Sequence, residues 1–248
     1  MLDVKEEIRK HWDSRSKEYD GSPGHVDLPE TWKNVLSEIF PERMRVLDIG
    51  TGTGFIALLL AELGHDVAGI DFSKGMLEIA REKARKSRFE IQFEIGDAEC
   101  LPFEDNSFDA TICRHVLWTL PHPQKAIKEW QRIVKPGGKV VVIDGAWFSR
   151  SFTASLRRFI GQIWIAAYER RNPWNNRGYR EDLSRMLPLY GTSTPEKVVE
   201  LFRNAELSRI SVRNLSWIRD MMLENRPFAY RLAWGDKAYF LVEGFKEV

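Results

Sequence analysis

The segment Val46-Leu47-Asp48-Ile49-Gly50-Thr51-Gly52-Thr53-Gly54 constrains the fold more than any other, because it joins an apolar strand to a glycine turn. Val46, Leu47 and Ile49 read as a short buried strand, and Phe55 to Leu63 as the helix that follows. The glycines permit a tight reversal and a ligand's close approach where a Cβ would collide. The helix N-terminus then points at the same place. Asp71 closes the next apolar segment, Asp66-Val67-Ala68-Gly69-Ile70, as the second strand end of a nucleoside-binding α/β unit should.

Two registers of the turn compete. Gly52-x-Gly54-x-x-Ala57 meets a loose dinucleotide pattern, which would make the chain a nicotinamide-dependent oxidoreductase. Asp48-x-Gly50-x-Gly52-x-Gly54 instead sets a carboxylate beside the turn. A carboxylate there repels a pyrophosphate and suits a ligand bearing a sulfonium and an ammonium. This second register resembles motif I of the class I S-adenosylmethionine (SAM)-dependent methyltransferases. The order then continues with a strand over Glu90 to Ile95, Gly96-Asp97-Ala98, a polar loop over residues 101–109 and a strand over Ala110 to Cys113. A helix over Pro123 to Val134, a Lys135-Pro136-Gly137-Gly138 turn and a strand over Lys139 to Ile143 complete it. Across residues 42–145 this order is similar to the type 11 methyltransferase family, which includes the quinone-biosynthesis methyltransferases.

The resemblance implies an α/β, Rossmann-like sheet of seven mostly parallel strands, the last one antiparallel, with helices on both faces and a helical insertion after strand 5. It implies SAM as cofactor. Gly50, Gly52 and Gly54 would line its methionine portion, with Asp48 near the ammonium or held by a backbone amide. Asp71 would accept from both ribose hydroxyls, Phe72 and Met76 would flank the adenine, and Asp97 with Ala98 would meet its edge. Arg114 would hold the methionine carboxylate. The pattern Trp12-Asp13-x-Arg15 to Tyr19-Asp20 resembles the N-terminal lid of small-molecule methyltransferases, in which the tyrosine closes over SAM. The expected organisation is a lid over residues 1–30, a SAM-binding core over 31–145, a substrate cap over 146–190 and the last helix and strands over 191–248.

The rest is read from the residues alone. Phe152 to Tyr168 has apolar residues at helical spacing, and Thr194-Pro195 is a helix start with Thr194 as cap. Ser208 to Trp217 and Lys237 to Phe245 alternate as strands. The insertion carries many arginines and no lysine, which suits forked recognition of an anionic acceptor, with Arg177 and Arg180 as candidates. Trp147, Trp174 and Tyr190 are candidate walls of an acceptor pocket. Among the candidate bases His115, His122, Asp144 and His25, His115 ranks first because a strand's C-terminal end faces the crevice.

At 248 residues and 43% apolar composition the chain can bury one sizeable core. No apolar run spans a bilayer, the N-terminus lacks a signal-peptide pattern, and two cysteines suggest a reducing cytoplasm. A net charge of +1 argues against a general nucleic-acid binder, as does the absence of the Asn/Asp-Pro-Pro-Tyr/Phe tetrapeptide; the arginines keep tRNA open as a rival acceptor. No cysteine-histidine cluster has metal-ligand spacing, so no metal is expected. The expected reaction is methyl transfer to a small anionic or aromatic molecule. A SAM-binding protein without turnover is a further rival, and the oligomeric state stays open.

Overall fold

A computed structural model describes residues 3–21, 24–146, 152–168, 178–224, 226–234 and 238–248. Ten α-helices and seven strands occur among them: α1 (Val4–Tyr19), α2 (Pro29–Ile39), β1 (Arg45–Ile49), α3 (Phe55–Glu62), β2 (Asp66–Asp71), α4 (Lys74–Ser87), β3 (Gln92–Ile95) and β4 (Phe108–Arg114). Then follow α5 (Pro123–Ile133), β5 (Val134–Ala146), α6 (Phe152–Tyr168), α7 (Glu181–Ser184), α8 (Pro195–Arg203), β6 (Leu207–Asn214), α9 (Ser216–Glu224), α10 (Phe228–Trp234) and β7 (Ala238–Lys246). The strands form one sheet in the order β3-β2-β1-β4-β5-β7-β6. β1 to β5 run parallel, and β7 is antiparallel to both β5 and β6.

This order reverses between β1 and β4, since β1 leads outward to β2 on one side and pairs with β4 on the other. The reversal leaves a crevice beyond the C-terminal ends of those two strands, where ligands of open α/β sheets bind. Both sheet faces are apolar because both are covered. On one side Trp32, Leu36, Leu60 and Leu77 pack on Val46 and Ile112; on the other Trp130, Ile127 and Phe202 pack on Leu47, Cys113 and Val142.

The sheet, the antiparallel last strand and the helical flanks are those the sequence implied. Two local expectations differ. The turn expected at Lys135-Pro136-Gly137-Gly138 is absorbed into β5, where the pairing with β4 skips from Phe108↔Val134 to Ala110↔Lys139. Gly138 makes this bulge possible, for a Cβ there would lie 2.4 Å from the Asp109 carbonyl oxygen. The strand expected to reach Trp217 stops at Asn214, whose side-chain oxygen accepts from the Ser216 amide at 2.8 Å and turns the chain into α9. Alternation of Ser216, Trp217 and Ile218 was too short to distinguish the two periods.

Candidate active site

The glycine turn has all three glycines at positive φ: Gly50 at 65°, Gly52 at 56° and Gly54 at 82°. A Cβ on Gly50 would sit 2.3 Å from Val116, and one on Gly54 would press on Ala80 of α4 at 3.1 Å. Gly50 and Gly52 line the cleft, whereas Gly54 lies outside the lining and brings α3 close to α4. The amides of the turn are largely spoken for. Thr51 N donates to Ile70 O, Gly54 N to Thr51 O, and Gly52 N to the Asp71 carboxylate at 2.8 Å. A phosphate needs such amides free and pointing at it. This turn is therefore a poor pyrophosphate cradle, for a reason more direct than the charge of Asp48.

Asp48 stands behind the turn. It is buried, accepts from Thr51 Oγ1 at 2.6 Å and from the Ala57 amide at 3.1 Å, and does not line the cleft. Of its two expected roles, the backbone-held one is the one its hydrogen bonds describe. Burial pushes its carboxyl up to about 6.

Asp71 does face the cleft, at the end of β2. Each of its oxygens accepts one amide, from Gly52 and from Ser73, both at 2.8 Å. A carboxylate oxygen has a second lone pair, so both remain able to accept from a vicinal diol. Burial pushes Asp71 up to about 6 as well. Phe72 and Met76 line the same end. The cap of α4 is Ser73 rather than Asp71, with Ser73 Oγ accepting from Met76 N at 3.1 Å.

Asp97 and Ala98 form the next stretch of wall. Asp97 turns one oxygen back on the Glu99 amide and holds Lys5 of α1 with the other at 2.5 Å. Lys5 also reaches Glu99, which is buried and binds the amide and ring of His122. His122 is thereby engaged on the rim, outside the lining.

Arg114 ends β4 and is 8% exposed. Its guanidinium lies over the rings of Phe55 and Trp32, at 4.7 and 5.2 Å from their centroids, and Nη2 donates to His25 O. Nη1 is buried without a hydrogen-bond partner among the described residues, in a side chain that lines the cleft. A buried guanidinium nitrogen with nothing to donate to is a standing invitation to an anion.

His115 follows at φ 63°, an unusual backbone state for a residue with a Cβ. Its amide is pinned to Ile143 O at 2.9 Å. The ring lines the cleft, and Nδ1 lies 3.5 Å from Oδ1 of fully buried Asp144 at the end of β5. Asp144 is itself held by Ser193 Oγ at 3.0 Å and by the Gly145 amide. His25 is a poor candidate base: Nδ1 is engaged by Tyr19 O at 2.8 Å, and burial lowers its pKa to about 4.

The fourth wall is α1. Lys5, Ile8, Trp12 and Tyr19 point into the cleft at helical spacing. Asp13 ties the helix to the start of α4 through Ser73 Oγ at 2.6 Å and the Gly75 amide at 3.1 Å. Tyr19 stacks on His25, with centroids 4.0 Å apart. About 100 Å³ of room remains inside, below the roughly 300–1,000 Å³ of a site for a drug-sized ligand. Lys5 and Asp13 were not singled out as site residues in the sequence. Lys5 lies one and two turns ahead of Ile8 and Trp12, but its carboxylate partners Asp97 and Glu99 are too far along the chain to show in a local pattern.

The expected acceptor residues fare differently. Arg180 does not line the cleft; it is exposed and pairs with Asp182 at 2.6 Å and with Glu7 at 4.0 Å, so its charge is already met at the surface. Tyr190 is also outside the lining, packed with Trp118 and Tyr179 in a ring cluster that includes Trp12. Trp12 Nε1 donates to Tyr179 OH at 2.8 Å, which joins α1 to the segment after α6. Trp147, Trp174 and Arg177 lie outside the described residues.

Residues 47–142 match a family described as a methyltransferase domain. This segment belongs to that family. Demethylmenaquinone methyltransferase of Renibacterium salmoninarum is 36% identical over 143 residues, covering 56% of this chain and 59% of that protein. Ubiquinone biosynthesis O-methyltransferase of Coxiella burnetii is 30% identical over 143 residues, covering 58% and 60%. The chain thus matches less than two thirds of the length of these relatives. Phosphoethanolamine N-methyltransferase 2 of Haemonchus contortus, solved with S-adenosyl-L-methionine, superposes with a TM-score of 0.72 at 19% identity, over 100% of this chain and 61% of that one. At that identity the likeness concerns the fold. The methyltransferase segment contains Asp48, the glycine turn, Asp71, Asp97 and Arg114, while α1 and everything after residue 142 lie outside it.

Proposed function

We propose that this protein transfers the methyl group of SAM to a small-molecule acceptor. The observation that carries the reading is one cleft with Asp71 poised for a diol and Arg114 Nη1 unmet for a carboxylate, beside a turn whose amides are committed. SAM has both groups; a dinucleotide offers a diol and needs the amides. Phe72 and Met76 would flank the adenine, with Asp97 and Ala98 at its edge and Gly50, Gly52 and Tyr19 around the methionine portion.

SAM supplies an activated methyl group on a sulfonium, so the protein's work is alignment and exclusion of water. Alignment of this kind accounts for about 7–11 kcal/mol of a barrier. In the narrow room under α1, Trp12 and Tyr19 keep water from the reacting atoms. His115 takes the proton of an acceptor that has one to lose, and Asp144 orients its ring. The aromatic wall at Trp12 and the relatives named for quinone biosynthesis favour an aromatic acceptor over a polynucleotide. We place the activity in the cytoplasm; among the described residues no helix is long and apolar enough to cross a membrane.

Calorimetry with S-adenosylhomocysteine and with a pyridine nucleotide tests the cofactor. Heat with the first alone is expected, and heat with the second alone would sink the proposal. Labelled SAM incubated with a pool of phenolic metabolites should then give a methylated product by mass spectrometry.

A further inference from the structure

The outward side of α6 is apolar where a surface helix should be polar. Leu156, Phe159, Ile160, Ile163 and Trp164 are all exposed, Trp164 by 58%, and Phe228 at the start of α10 is exposed by 60%. At about 100° per residue the five α6 side chains fall in a stripe roughly 140° wide, with Arg157 at one border and Gln162 beyond the other. Isolated exposed apolar side chains need no explanation; a contiguous stripe does. A groove lined by Trp164, Ala167, Pro227, Phe228 and Tyr230 extends it onto α10.

Rotation of α6 cannot hide the stripe. Its opposite edge is fixed by Gly161, where a Cβ would lie 2.7 Å from Ala233 N and 2.9 Å from Ala229 O, and by Ile165, which packs with Leu223, Tyr230 and Ala233. Close helix contact through small residues locks which side looks out.

We propose that this side rests on an anionic lipid bilayer. Three features select that occupant. Tryptophan and phenylalanine at the most exposed positions are the side chains that settle at a membrane interface. α6 carries Arg157 and Arg158 and neither aspartate nor glutamate, in a chain whose net charge is only +1. Arg231, one turn beyond Phe228, adds an exposed cation beside the apolar surface. Finally, α6 has 17 residues and is not apolar and long enough to span, so it lies on the surface rather than crossing it. The inference is independent of the methyl-transfer reading.

The test is co-sedimentation of the full chain with vesicles of phosphatidylcholine, with and without phosphatidylglycerol. Wild type should sediment with the anionic vesicles, more weakly as salt rises, and poorly with phosphatidylcholine alone. The double variant Ile163→Asp, Trp164→Asp should lower the partition at least about 100-fold with an unchanged melting temperature, since both positions are exposed. Arg231→Gln should lower it about fivefold. Should the double variant not fold, brominated phosphatidylglycerol provides a second readout: it should quench fluorescence in wild type that is missing from Trp164→Phe. Absence of wild-type sedimentation, equal partition with both vesicle types, or a wild-type dimer that the double variant dissolves would each overturn the proposal.

Discussion

The cleft at the strand ends hides charge, and the outer side of α6 displays apolar rings. Asp71, Arg114 and Asp144 are withdrawn from water at one place, while Trp164 and Phe159 stand in it at the other. Each region inverts the partition that folding favours, and each inversion costs stability. They differ in how completely the protein compensates. Asp144 has Ser193 and Gly145, and Asp71 has two amides, whereas Arg114 Nη1 has no hydrogen-bond partner among the described residues and the α6 stripe stays partly in water. What is left unmet in each region states the chemistry of the missing neighbour: an anion in one, a greasy surface in the other.

The comparison breaks most visibly at Asp71. Asp71→Ala should weaken S-adenosylhomocysteine binding by more than about 100-fold, since two hydrogen bonds to a charged acceptor are lost. Calorimetry reads it, circular dichroism checks the fold, and vesicle partition should not move. His115→Gln should lower kcat about 100-fold for an acceptor that must lose a proton, with cofactor affinity intact; Asp144→Asn should cost less and shift the pH profile. Arg114→Met should weaken cofactor binding about tenfold, because its Nη1 is no longer there for the carboxylate, as calorimetry reads.

Acid sharpens the same contrast. Asp71 titrates near 6 in the folded protein, above its ordinary value, so the free protein is relatively stabilised by protonation at low pH and loses that contribution as pH rises through 6. Cofactor binding needs the carboxylate and runs the other way. Affinity should therefore fall by up to about tenfold per pH unit below 6, measured by calorimetry across that range. The smallest effect belongs to Arg180→Met, which removes an exposed ion pair worth about 0–1 kcal/mol and should leave acceptor KM unchanged. A marked rise would restore Arg180 to the acceptor site.

The cleft's main features were legible because glycine spacing and strand-end acids are local signals. Gly50, Gly52, Asp71, Asp97 and Arg114 all converge, since each follows a strand whose register the sheet fixes. Asp48 was half legible: residue type showed a carboxylate at the turn, but only packing shows which side it faces. Lys5 and Asp13 were missed as site residues because their partners lie far along the chain, at Asp97 and Ser73. Arg180 stands outside the cleft lining for a related reason. Composition counts charges but does not see that Glu181 and Asp182 already balance Arg185 and Arg180. The helix over Phe152 to Tyr168 was read correctly, yet its periodicity could not tell an inward stripe from an outward one.

The placement of β7 between β5 and β6 has a consequence for assembly. During synthesis β6 emerges well before the strand that carries it, and it has no other partner in the sheet. Until residues 238–246 arrive, β5 and β6 are two waiting edges, each a template for pairing with the wrong chain. Truncation ahead of Ala238 would thus strip out a keystone rather than a border, and nascent chains stalled there are the ones a chaperone should find.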